Sequence, residues 1–110
     1  MNSLMNGKTV GTRLEGLRRF MKMTQVEFAS EVGVSGSTIG SYERDYRDID
    51  DQVRKALVDK YGVRLDWLMK GEGQIFDDRS HVNDLVGLYI RLGEDKREAV
   101  YNSLVNELEK

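Results

Sequence analysis

The chain is predicted to be all-α, and three observations predict it. Two threonines, Thr12 and Thr24, each stand three residues before a glutamate, Glu15 and Glu27. That is the reciprocal pattern by which a side chain and a backbone amide open a helix together. Apolar residues recur at three- and four-residue spacing, as in Leu14, Leu17 and Met21. Glycines at 33, 62 and 71 follow such segments, where a left-handed residue closes a helix.

Taken in order, residues 1–10 are polar with little periodicity and are expected to form a flexible N-terminal segment. The first helix is expected to start at Thr12 and to turn Leu14, Leu17 and Met21 inward, with Phe20 beside them. The second starts at Thr24 and ends at Gly33; Ser35 is placed to cap the third. A fourth fits residues 49–60, with Ile49, Val53, Ala56 and Leu57 inward, Asp48 as its cap and Gly62 as its end. A short fifth holds Leu65, Trp67, Leu68 and Met69, and Trp67 is assigned to the core with Leu65 and Leu68. Ile75 and Phe76 then pack back on the domain.

Residues 77–83 read as a linker, and residues 84–110 carry two further helical patterns. Leu85, Leu88 and Leu92 line one; Val100, Leu104 and Leu108 line the other. So short a pair cannot hide both stripes by itself. A symmetric contact between two copies is the expected solution. The alternative is that the tail folds back over Ile75 and Phe76.

Composition narrows the function. With 110 residues the chain holds one domain plus an appendage. No apolar run is long enough to cross a membrane and no signal-type stretch opens the chain, so a cytoplasmic location is expected. Cysteine is absent and His81 is the single histidine, so neither a metal nor a cofactor is expected. No nucleophile elbow or phosphate loop is present, which argues against an enzyme. The net charge is −2, unevenly spread: residues 1–44 carry six Lys/Arg against four Asp/Glu, and residues 77–110 carry five against eight. Asp45, Asp48, Asp50 and Asp51 are the exception near the middle.

The most specific signal is the run TQVEFASEVGVSGSTIGSYER. Gln25, Ala29, Gly33, Ile39 and Tyr42 have the spacing of a helix-turn-helix. Ala29 allows a close helix crossing, Gly33 supplies the left-handed turn, and Ile39 and Tyr42 share one face of the second helix. That helix is expected to expose Gly36, Ser37, Thr38, Gly40 and Ser41. In a helix-turn-helix this face enters the major groove of DNA. Ser37, Thr38 and Ser41, with Gly36 beside them, are the base-facing or groove-facing candidates. Gln25, at a helix start where the dipole favours an anion, is the strongest phosphate candidate, and Thr24 is a second.

Around this run, GTRLEGLRRFMKMTQ, SYER and YGVRLDWLMKGEG complete the pattern, and residues 8 to 76 together resemble the Cro/CI-type phage-repressor family, also called the XRE family. The resemblance implies a lambda-repressor-like five-helix DNA-binding domain over residues 11–76, acting as a homodimer on a double-stranded, pseudo-palindromic operator. It implies an ion pair between Arg18 and Glu43. It also implies phosphate contacts from the loop holding Arg44, Tyr46 and Arg47. Lys8, Arg13 and Arg19 could add to these, although solvated surface is the expected role of each. Two rivals stand beside a repressor: an antitoxin whose partner is a toxin, and a protein-interaction module that has lost DNA affinity. The acidic loop and the short groove-facing side chains support the second.

Overall fold

In a computed structural model of the chain, residues 7–77 and 94–108 are described. They form six helices: α1 Val10–Phe20, α2 Gln25–Val32, α3 Gly36–Glu43, α4 Asp51–Tyr61, α5 Leu65–Lys70 and α6 Glu94–Leu108. Leu14, Leu17, Phe28, Ala29, Ile39, Tyr42, Val53, Leu57, Trp67 and Leu68 are all buried in one core, which explains why the short helices α2, α3 and α5 are stable.

The start of α1 differs from the sequence expectation. Thr9, not Thr12, is the N-cap: its hydroxyl accepts from the Thr12 amide at 3.1 Å, and the Thr12 hydroxyl accepts from the Thr9 amide at 2.9 Å. Thr12 therefore fills the role usually taken by glutamate at the third helical position. Glu15 is left to pair with Arg19 at 2.7 Å. Gly7 to Val10 consequently belong to the folded domain and not to a flexible leader.

The expected caps of α2 and α3 are present. Thr24 and Glu27 exchange bonds of 3.1 and 2.8 Å, and the Ser35 hydroxyl accepts from the Thr38 amide at 3.2 Å. Gly33 closes α2 at φ 81°, and its amide donates to Ala29 O at 2.9 Å. Helix α4 begins at Asp51, two residues later than expected, and its N-cap is Asp50 instead of Asp48. Ile49 lies before the helix yet is buried. After α5, the chain returns through a bridge between Val63 and Phe76, with Arg64 N donating to Ile75 O at 2.7 Å. Phe76 is buried there, but Leu65 is exposed and is no part of the Trp67 cluster. The turn that starts α5 directs Leu65 outward while Trp67 and Leu68 face the core.

Arg13 also overturns its expected role as surface. It is buried, donating from Nε to Leu68 O at 2.8 Å and from Nη1 to Gly7 O at 3.2 Å. A cation at the C-terminal end of α5 complements that helix's dipole. Helix α6 is held to α2 by Lys96, whose Nζ lies 3.3 Å from Glu27 Oε1. Val100 of α6 is 2% exposed. Leu85, Leu88, Leu92 and His81 lie outside the described residues, as do the side chains of Leu104 and Leu108. Among the described residues no helix is long and apolar enough to cross a membrane.

Candidate nucleic-acid interface

The site is built where α2 and α3 begin. The two tips are neighbours, since a Cβ on Gly36 would lie 3.5 Å from Val26 Cα, and the first amides of any helix have no partner within it. Thr24 and Gln25 are exposed at the tip of α2; Ser35 and Ser37 are exposed at the tip of α3, with Gly36, Thr38 and Ser41 partly exposed beside them. Gly40 departs from expectation, since it is buried. A Cβ built there would lie 3.5 Å from Gln25 Oε1 and 3.6 Å from an Arg44 guanidinium nitrogen. Gly40 is therefore the floor on which those two side chains rest.

Beneath this face runs a buried polar network. Arg18 grips Glu43 in a two-pronged contact, Nε to Oε2 at 2.7 Å and Nη2 to Oε1 at 3.1 Å. Its remaining Nη1 donates to Met23 O at 2.8 Å. The second lone pair of Glu43 Oε1 accepts from Gln25 Nε2 at 3.0 Å. One amide hydrogen of Gln25 is thus committed inward, which orients the side chain and leaves the other hydrogen and the backbone amide for an anion. Glu43, at the end of α3, holds in one grip the helix, the α1 arginine and the α2 glutamine.

At the tip of α3 the hydroxyls bond to one another. Ser35 Oγ lies 3.1 Å from Ser37 Oγ and 2.9 Å from Thr38 Oγ1. Each hydroxyl keeps further acceptor or donor capacity and can rotate, so the cluster suits several base edges and commits to none. Ser41 stands one turn further along the helix.

The loop after α3 supplies the cations. The Arg44 guanidinium lies over the exposed ring of Tyr46, 5.1 Å from its centroid, and Arg44 Nε donates to Gly40 O at 3.3 Å. Arg47 lies over the ring of Tyr42 at 5.7 Å and donates to Asp50 Oδ2 at 3.0 Å. All three loop candidates, Arg44, Tyr46 and Arg47, are exposed and grouped beside the end of α3.

Three of the four loop acids are occupied within the fold. Asp45, at φ 58°, accepts from the Thr9 hydroxyl at 2.7 Å and from the Gly11 amide at 2.9 Å, so it caps the start of α1. Asp50 accepts from the Tyr42 hydroxyl at 3.0 Å as well as from Arg47. Asp51 pairs with Arg54. The role of Asp45 was invisible in the sequence because its partners stand more than thirty positions away. Gly11 carried a signal of the same contact: a Cβ there would fall 2.4 Å from Tyr42 O, so α1 can cross the end of α3 only at a glycine.

Comparison with known proteins agrees with this geometry. Residues 17–68 match the helix-turn-helix family model. The chain is 34% identical over 61 residues to the HTH-type transcriptional regulator ImmR of Bacillus subtilis (strain 168), an alignment covering 56% of this chain and 48% of that protein. The chain thus spans about half the length of the curated relative it matches. No solved structure gives a significant match.

Proposed function

We propose that the chain is a transcriptional regulator of the XRE family that binds operator DNA through α3 and the tip of α2, a reading supported by the match of residues 17–68 to the helix-turn-helix family model. The observation that carries this reading is the shared face made by the two helix N-termini, with Gln25 held in place by Glu43 at 3.0 Å and the cations of Arg44 and Arg47 beside it. Donors at a helix start and arginines on a neighbouring loop suit phosphate oxygens. The hydroxyls of Ser37, Thr38 and Ser41 face the base edges. The action is occupancy of DNA and not catalysis. Two copies on a pseudo-palindromic site would set their α3 helices one DNA turn apart, roughly 34 Å, and block a promoter as a phage-type repressor does.

Selection of bound sequences from random duplex DNA tests this. An inverted repeat with half-sites one turn apart is the expected product; failure to enrich any sequence would refute the reading. On the selected duplex, Ser37→Ala and Ser41→Ala should each cost on the order of 1 kcal/mol and spare binding to random DNA. Gln25→Ala should weaken both, because phosphate carries no sequence.

A further inference from the structure

Val26 is the second residue of α2 and is 71% exposed; no aliphatic side chain among the described residues is more so. A lone apolar residue on a surface is ordinary. The position of this one is not, because it lies in the seam between the tips of α2 and α3. A Cβ built on Gly36 would stand 3.1 Å from Val26 Cγ2, so the glycine at the start of α3 leaves that side of the valine clear. The same absence lets the tip of α3 approach a base pair closely. The polar neighbours there are partly committed, with Ser37 and Thr38 both bonded to Ser35. The one apolar feature that a base edge offers in the major groove is the thymine C5-methyl.

We propose that Val26 is a specificity-determining residue, its isopropyl group packing on the C5-methyl of a thymine in each half-site entered by α3. A residue of the supporting helix α2 would thereby read sequence that the short side chains of α3 leave unread. This inference rests on the proposed DNA-binding function.

The test uses the full chain and the duplex recovered by selection. Each half-site thymine is replaced in turn by uracil, which keeps every hydrogen-bonding group and removes only the methyl. Dissociation constants are measured for the parent, Val26→Ala and Thr38→Ser, the last removing the rival methyl contact on α3. At one thymine per half-site, uracil should weaken the parent and Thr38→Ser about three- to fivefold, the scale of one buried methyl. It should change Val26→Ala less than about twofold at the same position. Val26 is exposed, so the alanine variant should keep the parent's melting temperature. A parent that ignores every uracil overturns the inference, as does sensitivity that survives in Val26→Ala or vanishes in Thr38→Ser. In each of those cases specific binding persists and the DNA reading stands. A parent that selects no duplex refutes both.

Discussion

Removing the Glu43 carboxylate is the most severe single change that the buried network predicts. The side chains of Arg18 and Glu43 are 10% and 4% exposed, and they meet in a two-pronged contact with a shortest distance of 2.7 Å. In Glu43→Ala the guanidinium stays buried and keeps Met23 O at 2.8 Å, with the half-buried Glu15 carboxylate 4.0 Å away as its remaining counter-charge. Breaking a buried pair costs about 3–5 kcal/mol where the remaining charge has lost both its solvent and its close partner, and the more distant Glu15 places this change toward the lower end. Stability of roughly 0.05–0.15 kcal/mol per residue leaves a domain of this size little beyond that. Replacing both residues by methionine removes the two desolvation costs together, so the double variant should be more stable than Glu43→Ala. Urea unfolding followed by circular dichroism, and by the fluorescence of the single buried Trp67, measures all of these. A cost under about 1 kcal/mol for Glu43→Ala, or a double variant no better than it, would refute the argument.

Four other outcomes follow from the geometry. Gly33→Val should destabilise the domain by about 1–3 kcal/mol through its positive φ of 81°, while Gly33→Asn should cost less, because the nearest atom to a Cβ there is Gln52 Nε2 at 3.8 Å and space is not the obstacle. Thermal melts should rank Gly11→Ala below Gly33→Asn, since its Cβ would meet the backbone oxygen of Tyr42 at 2.4 Å. Arg13→Met should lower stability by about 1–3 kcal/mol by stranding Leu68 O, and should leave the salt dependence of DNA binding unchanged because Arg13 is interior. The stability profile should fall at both ends of the pH range. The Glu27 carboxyl is lowered by its bond from the Thr24 amide and then by Lys96, so its contribution is present above the ordinary carboxylate value and lost as pH falls through the lowered one. The Tyr42 phenol is raised by burial, so its contribution is complete below the ordinary phenol value and lost as pH rises through the raised one. Glu27→Gln should flatten the acid limb and Tyr42→Phe the alkaline limb in denaturant midpoints measured across pH.

What could be read from the sequence was what is local or what repeats with a helical period. The Thr24–Glu27 box, the Ser35 cap and the Gly33 turn each depend on residues within a few positions, and each is present. The same template misled at Thr12–Glu15. Thr9 offered a hydroxyl three residues before Thr12, and a threonine-for-glutamate variant of the box formed one turn earlier. Arg13 and Arg19 look alike in sequence, yet one is buried against Leu68 and the other is exposed beside Glu15. Only the packing of α5 on α1 separates them. The Arg18–Glu43 pair came from resemblance, and Gln25 as its third member could not be foreseen from spacing. Val26 is likewise not legible from local spacing, because its neighbour in the seam is the glycine at 36, ten positions on.

The charge of the loop after α3 bears on which rival reading of the fold survives. Four aspartates near phosphate would seem to repel DNA and to favour a domain that binds protein instead. Their placement changes the electrostatics. Asp45 faces the positive end of the α1 dipole and two donors. Asp50 shares Tyr42 and Arg47, and Asp51 lies against Arg54. Carboxylates matched to nearby donors contribute short-range dipoles, and these decay faster than the field of an unpaired charge. Arg44 is tethered by a backbone carbonyl and an aromatic face, partners that leave its charge unneutralised. Arg47 and Arg54 are in turn the partners of Asp50 and Asp51, so those pairs cancel locally, and Arg44 and Asp45 are a cation and an anion each held by neutral groups. The acidic loop and the short groove-facing side chains therefore remain the support for a protein-interaction module, and enrichment of a duplex sequence is the result that separates the two readings.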